Sequence, residues 1–465
     1  MAALQYKILI AAVVVGFILS VAVWGIVRDR GFSQESITGS DHILKRPPSL
    51  PNVPSGSNNS SGNDGPLALP SVTNVSVGHG PEGDAYSNAV GEVFVANSLS
   101  DTVSVFDTST EAVVATISVG TQPTQVIFDP SNGMIYVLNI GSNTVSVIQP
   151  SSNSVIATAT LPSQIYWGIY NPVNGGIYVL CLKSSGSDEI AKIAPTTYAV
   201  TTLSLGGFGS YILAYDPATL DLVVSDFLSN SVSIVNSTTN GVSTINLPLG
   251  TGPGFLVYNS VNKDMYIMDS CPLAGGGTTA TGEVSVLGVS NSIIKTIAVG
   301  QTPITATVDP LTHEVYVVNY GNNASPMGQS TVSVISPANK VITQVAVGDG
   351  AVYATYDSAD GDFFVPNEES ASVSVLNAST HTVISTIAVV GGLPILGLQD
   401  SGSSDMLVIS CPHSQPCALV VISSSIVVEG TLTIGYGPTG GGITATSAGD
   451  RYFTNPVSGT VSIVS

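Results

Sequence analysis

Residues 120–161 read GTQPTQVIFDPSNGMIYVLNIGSNTVSVIQPSSNSVIATATL. Four short strands are written into this stretch. Residues 125–128 form an apolar-ended run that stops at Asp129-Pro130-Ser131-Asn132-Gly133. Residues 134–138 are aliphatic, β-branched and aromatic, and are followed by Gly141-Ser142-Asn143. Residues 144–148 alternate apolar and polar, 150–153 form a third turn, and 154–161 alternate again. Runs of about five residues bounded by Gly, Pro, Asn and Ser clusters are the pattern of an antiparallel meander.

The rest of the 465-residue chain fits that reading. Hydrophobic residues make up 43% and charged residues only 9%, with 48 glycines. Strong helix formers such as Glu, Lys and Arg are scarce, which argues against helical domains. The formal charge is −20, and five of the 11 basic residues (Lys7, Arg28, Arg30, Lys45, Arg46) lie at the N-terminal end. Residues 65–465 hold only six basic groups. So acidic a body repels phosphate backbones, and no nucleic-acid partner is expected. A surface of neutral hydrogen-bonding groups also titrates little, which leads us to expect an acidic medium.

The meander repeats. Small turn residues end successive units at Gly78, Gly120, Pro162, Gly206, Gly250, Gly300, Gly348, Gly391 and Gly435, spaced by 42 to 50 residues. Second strands carry a signature: FVAN at 94–97, YVLN at 136–139, YVVN at 316–319 and FVPN at 364–367. Looser copies are YVLC (178–181), VVSD (223–226), YIMD (266–269), LVIS (407–410) and YFTN (452–455). Third strands of the TVSVI type follow. A period of ~40–50 with four strands per unit is the pattern of propeller blades.

Over residues 71–465 these repeats resemble the YVTN family of β-propeller repeats, common in archaeal and bacterial surface proteins. The resemblance implies an all-β propeller of four-stranded antiparallel blades and is silent on a ligand. The chain enters the repeat with a lone fourth strand at 71–77 and leaves it after three strands at 443–464. Eight complete units lie between. If strand 71–77 pairs with the last three, nine blades close without exposed edges. The alternative is eight blades with one degenerate unit outside the ring. The propeller domain is set at 67–465.

Residues 8–27, ILIAAVVVGFILSVAVWGIV, contain no charge. At 1.5 Å per residue they span a hydrocarbon core of ~30 Å, so residues 1–30 are read as one transmembrane helix and anchor. A cleaved signal peptide, with Ser20-Val21-Ala22 as its site, is the competing reading and would make the protein secreted. Residues 31–66 are a flexible Pro/Ser/Gly/Asn-rich linker. Asn58, Asn59, Asn74, Asn236, Asn323 and Asn377 head Asn-x-Ser/Thr sequons and are glycosylation candidates.

Most motif residues have a structural reading. Asp129, Asp216 and Asp309, each before Pro, and Asn171 and Asn259 open hairpin turns, the side chain capping backbone N–H groups. The Asn or Asp that closes each second strand is read as a turn former, and the preceding Tyr or Phe as inter-blade packing.

Function is sought where the repeat is violated. Insertions at 270–282 and 320–330 fall in second-to-third strand loops of blades 5 and 6. A third violation is Cys411-Pro-His-Ser-Gln-Pro-Cys417 in the same class of loop. A local disulfide between Cys411 and Cys417 is the favoured reading, with a metal site of Cys411, His413 and Cys417 as the alternative. Cys271, Tyr320, Asn323, Met327 and His413 make the candidate partner-binding rim. Cys181 is read as a small buried group.

No catalytic residue is identified. The other histidines (His42, His79, His313 and His381) do not cluster, and there is no phosphate-binding loop or nucleophile elbow. No cofactor is expected. The reading is a membrane-tethered extracytoplasmic propeller, single-pass, acting as a binding, adhesion or surface-structural module. Its partners would be a cell-surface protein or glycan. The alternative is a propeller enzyme or redox protein holding a cofactor or small ligand in its central channel.

Overall fold

β-Branched and aromatic runs punctuated by turn chemistry fold here into nine four-stranded antiparallel sheets, each a blade. The computed structural model describes residues 70–270, 281–321, 329–389, 392–399, 405–411, 417–423, 425–434, 443–445 and 451–464. The anchor 1–30, the linker 31–66, Asn58 and Asn59 therefore lie outside the described residues. Among the described residues there is no α-helix, and none is long and apolar enough to cross a membrane.

The ring closes as the two incomplete chain ends require. Val72–Ser76 pairs antiparallel with Thr460–Val464, Val72 opposite Val464. The Val77 amide donates to the Gly459 carbonyl at 3.1 Å, extending the seam. The N-terminal strand is thus the fourth, outermost strand of blade 9, whose inner strands are Thr460–Val464, Arg451–Asn455 and Ile443–Ala445 in turn.

There is no single core. One apolar cluster lies between each pair of neighbouring blades, including the pair that closes the ring, where Val93, Val95 and Phe106 meet Tyr452, Val461 and Ile463. The blade 2–blade 3 cluster shows the recipe: Tyr136, Leu138 and Val145 against Ile177, Val179 and Ala191. Every blade buries both faces, so its two middle strands are buried almost throughout, the second nearly all apolar, while its outer strand alternates.

Turns behave as their chemistry dictates. Asp129 Oδ1 accepts the Ser131 amide at 2.8 Å, and Asp309 Oδ1 the Leu311 amide at 2.7 Å. Each of these hairpins closes on a left-handed residue, Gly133 (φ 73°) in blade 2 and His313 (φ 59°) in blade 6. Blade 7 departs from the pattern. Pro366 in its second strand has no amide hydrogen to give, and the first strand shrinks to Thr355–Asp357 with an isolated bridge from Ala351 to Asn367.

A meander has two rims. Turns between first and second strands, and between third and fourth, share one, called here the turn rim. Second-to-third strand loops and the blade-to-blade crossings share the other, the loop rim.

Candidate functional site

The loop rim is built on the residue that closes each second strand. Asn139 is fully buried, and its Nδ2 donates to Thr144 Oγ1 (3.1 Å) and Ser146 Oγ (3.0 Å) of the third strand. Asn97, Asn367 and Asn455 repeat the arrangement. In blade 6 the Val317 and Thr331 carbonyls also accept from Asn319 Nδ2, which settles the amide's orientation. These residues are cross-strand clamps, not the turn formers read from the sequence. The glycine ending the preceding unit lies directly over the amide. A Cβ on Gly120 would meet Asn139 Cγ at 2.7 Å and Thr144 Oγ1 at 2.6 Å.

A latch joins successive blades on the same rim. The side chain just before the third strand accepts amides of the next crossing. Asp101 Oδ1 takes Gln122 N (2.8 Å), and Asn230 Oδ1 takes both Gly250 N (3.0 Å) and Gly252 N (3.1 Å). In blade 6 this role falls to Ser330, whose Oγ accepts Gly350 N at 3.0 Å. The long loop before it thus ends on a fixed point.

Of the carboxyl groups buried on the loop rim, four are raised by that burial. Burial pushes Asp226 up to about 6, against hydrogen bonds from Ser210, Ser233 and Ser231. Asp269 is pushed up to about 7 and Glu82 to about 8 by burial, opposed by Ser285 and Ser98 respectively. Glu368 rises to about 7 by burial and the neighbouring Glu369. They belong to blades 1, 4, 5 and 7 and do not converge on one point. Asp188 and Asp226 are bridged through Ser210, whose amide donates to the first and hydroxyl to the second. Among the described residues, no three His, Cys, Asp or Glu side chains are grouped to hold a metal.

The candidate rim residues divide. Cys411 and Cys417 are joined in a disulfide across a separation of six residues. Both sulfurs are engaged, so the metal reading with His413 is overturned. Tyr320 is corrected: it is only 5% exposed and packs between blades 6 and 7, its hydroxyl donating to Glu369 Oε1 at 3.3 Å. Cys271, Asn323, Met327 and His413 lie outside the described residues. Cys181 is buried and free. Asn236 Nδ2 donates to Asp221 Oδ1 (2.9 Å) and Asn377 Nδ2 to Asp362 Oδ1 (2.8 Å), so both sequon nitrogens hold turns. Asn74 is exposed on the closing strand, its Oδ1 accepting from Ser462 Oγ.

Two features were missed in the sequence. The first is the set of buried carboxyls, of which Asp226 and Asp269 were signalled only by Asp standing where other blades have Asn, and Glu82 and Glu368 by nothing in the repeat. The second is a ring of half-buried aromatics at the inner end of the turn rim. Tyr86, Phe128, Tyr170, Tyr215, Tyr258 and Tyr356 occupy equivalent positions at the end of six first strands. The signal was an aromatic directly before the turn Asp, Asn or Ser.

Residues 66–173 match the YNCE-like β-propeller family. No curated protein matches the chain. Among solved structures, Saccharomyces cerevisiae Sqt1 is similar at 13% identity and TM-score 0.53, covering 74% of this chain and 96% of that one. A dihydro-heme d1 dehydrogenase, NirN, in complex with DHE is similar at 12% identity and TM-score 0.51, covering 79% and 69%. At such identities the likeness is one of fold.

Proposed function

We propose that this YVTN-type β-propeller repeat protein is a membrane-tethered, extracytoplasmic binding or surface-structural module. Residues 8–27 would be its anchor and 31–66 its tether. Its loop rim would meet a cell-surface protein or glycan. The observation that carries the reading is the Cys411–Cys417 disulfide, on the rim that also carries the two long insertions. Disulfides persist in oxidising compartments outside the cytoplasm. Insertions on a rigid ring are a common way for a repeat fold to acquire a binding surface.

The test is to replace residues 271–281 and 321–329 by short turns and measure capture of purified envelope glycans and surface proteins. The latch at Ser330 and the strands on either side are retained, so the ring should fold as before. Capture should be lost from the doubly shortened protein. Undiminished capture overturns the reading. Visible absorbance in the purified full-length protein would instead favour a cofactor-bearing enzyme.

A further inference from the structure

The two rims differ in what they expose. On the loop rim the exposed large apolar side chains are Leu99, Phe208, Leu228, Leu249 and Val457 among the described residues. On the turn rim Val90, Val289 and Val427 are exposed in turns of blades 1, 5 and 8, and four more form a consecutive arc. Val173, Leu220, Val261 and Leu311 stand in the first turns of blades 3, 4, 5 and 6, with Leu220 48%, Val261 53% and Leu311 75% exposed. Tyr170, Tyr215 and Tyr258 are half-buried just inside the arc.

Charge in the same arc is also sorted. Lys263, Lys295 and Lys340 are exposed there. The Asp residues beside them are not. Asp216, Asp221, Asp264 and Asp309 are buried, their carboxylates accepting bonds from turn amides or from asparagines. Glu314 is paired with His381 at 2.8 Å. An acidic protein thus exposes, over these four blades, aliphatic tips and lysines. Aliphatic tips, tyrosines and snorkelling lysines are the composition of a surface that rests in a headgroup layer.

Topology adds where the tether joins. Val72 lies opposite Val464, the end of the third strand of blade 9, so the chain before residue 70 joins the ring at the turn rim. We propose that the turn rim over blades 3–6 docks on the bilayer surface, leaving the loop rim facing away. The occupant is a lipid bilayer whose anionic headgroups meet the lysines while the aliphatic tips enter the interface. This rests on the reading of residues 8–27 as an anchor, since an anchored ring meets the bilayer at high local concentration.

The experiment uses the full-length protein in vesicles of phosphatidylcholine with phosphatidylglycerol, some carrying brominated acyl chains. Leu311→Trp adds a reporter on the arc. Leu249→Trp, at a residue 92% exposed on the loop rim, is the control. The native tryptophans, Trp24 and Trp167, are common to both variants. Brominated lipid should quench the added L311W emission at least about two-fold more than that of L249W. Lys263→Gln with Lys295→Gln and Lys340→Gln should remove the part of the quenching that depends on phosphatidylglycerol. Equal quenching of the two reporters overturns docking. A concentration-dependent blue shift of L311W without lipid also overturns it, and assigns the arc to a second copy. Flotation with vesicles in 1 M salt (about 3 Å of screening length) reports the anchor separately. Loss of flotation with quenching retained at low salt would break the anchor reading and leave docking standing.

Discussion

Blade 2 and blade 4 place nearly isosteric residues at the same point and use them in opposite ways. Asn139 gives two hydrogen bonds to the hydroxyls of its third strand. Asp226 receives them, from Ser233 Oγ at 2.6 Å and Ser231 Oγ at 3.3 Å, and takes a further one from Ser210 Oγ. Serine and threonine serve both because a hydroxyl is donor and acceptor at once. The geometry of the clamp is therefore kept while its charge is not. The asparagine is indifferent to pH. The buried aspartate is pushed up to about 6, so it holds its proton into mildly acidic solution.

The largest expected effect comes from breaking both clamps alike. Gly120→Ala drives a methyl into Asn139 and Thr144, and Gly207→Ala drives one into Asp226. Each should cost ~2–4 kcal/mol, because a packed clamp cannot yield without moving backbone. Urea unfolding at fixed pH measures it, and a cost near zero would mean the glycine contact is incidental.

The swap sharpens the comparison. Asn139→Asp should destabilise by ~2 kcal/mol at pH 8, with most of the loss recovered at pH 4.5. Asp226→Asn should do the reverse, gaining roughly 1–2 kcal/mol at pH 8 and little at pH 4.5.

The whole molecule should follow the aspartate. Asp226 and Asp269 start from 3.8, and Glu82 and Glu368 from 4.5; all four are raised in the fold. A raised carboxyl contributes stability that is present below its unfolded value, about 4 here, and lost as pH rises through the folded one. Unfolding temperature should thus climb on acidification from pH 8 towards pH 4.5, most steeply below about 6, where all four groups are protonated in the fold and still largely ionised in the unfolded chain. That direction agrees with an acidic medium. A protein that melts at the same or lower temperature at pH 4.5 would contradict it.

The smallest effect lies in the latches. Asn230→Ala removes the acceptor for two amides, whereas Asn143→Ala removes one long bond to Ile165 N at 3.4 Å. The first should cost about 1–2 kcal/mol and the second under about 1 kcal/mol.

The repeat was legible because its causes are local. A turn Asp capping the amide two residues on, or a left-handed residue closing a hairpin, is decided within five residues. The clamp was misread for a related reason. The Asn of YVLN has a turn former's chemistry, and only the third strand, five and seven residues away, shows where its donors go. Tyr320 looked like part of an exposed insertion. Its neighbour Glu369 belongs to the next blade, and no spacing rule connects them.

What the sequence determined by itself was the unit, and it pointed to the count and the closure. Alternation, turn residues and a period near 44 set four strands per blade, and a lone strand at one end with three at the other favoured nine blades over eight, which the nine sheets of the structure bear out. The tertiary structure alone decided which groups face outward. It buried the turn aspartates of blades 4–6 and left the lysines beside them exposed. It also set the N-terminal end of the closing strand on one rim and the disulfide on the other. Burial is a property of packed neighbours some 40 or more residues apart, and desolvation, which fixes charge state and exposed character alike, exists only once the ring has closed.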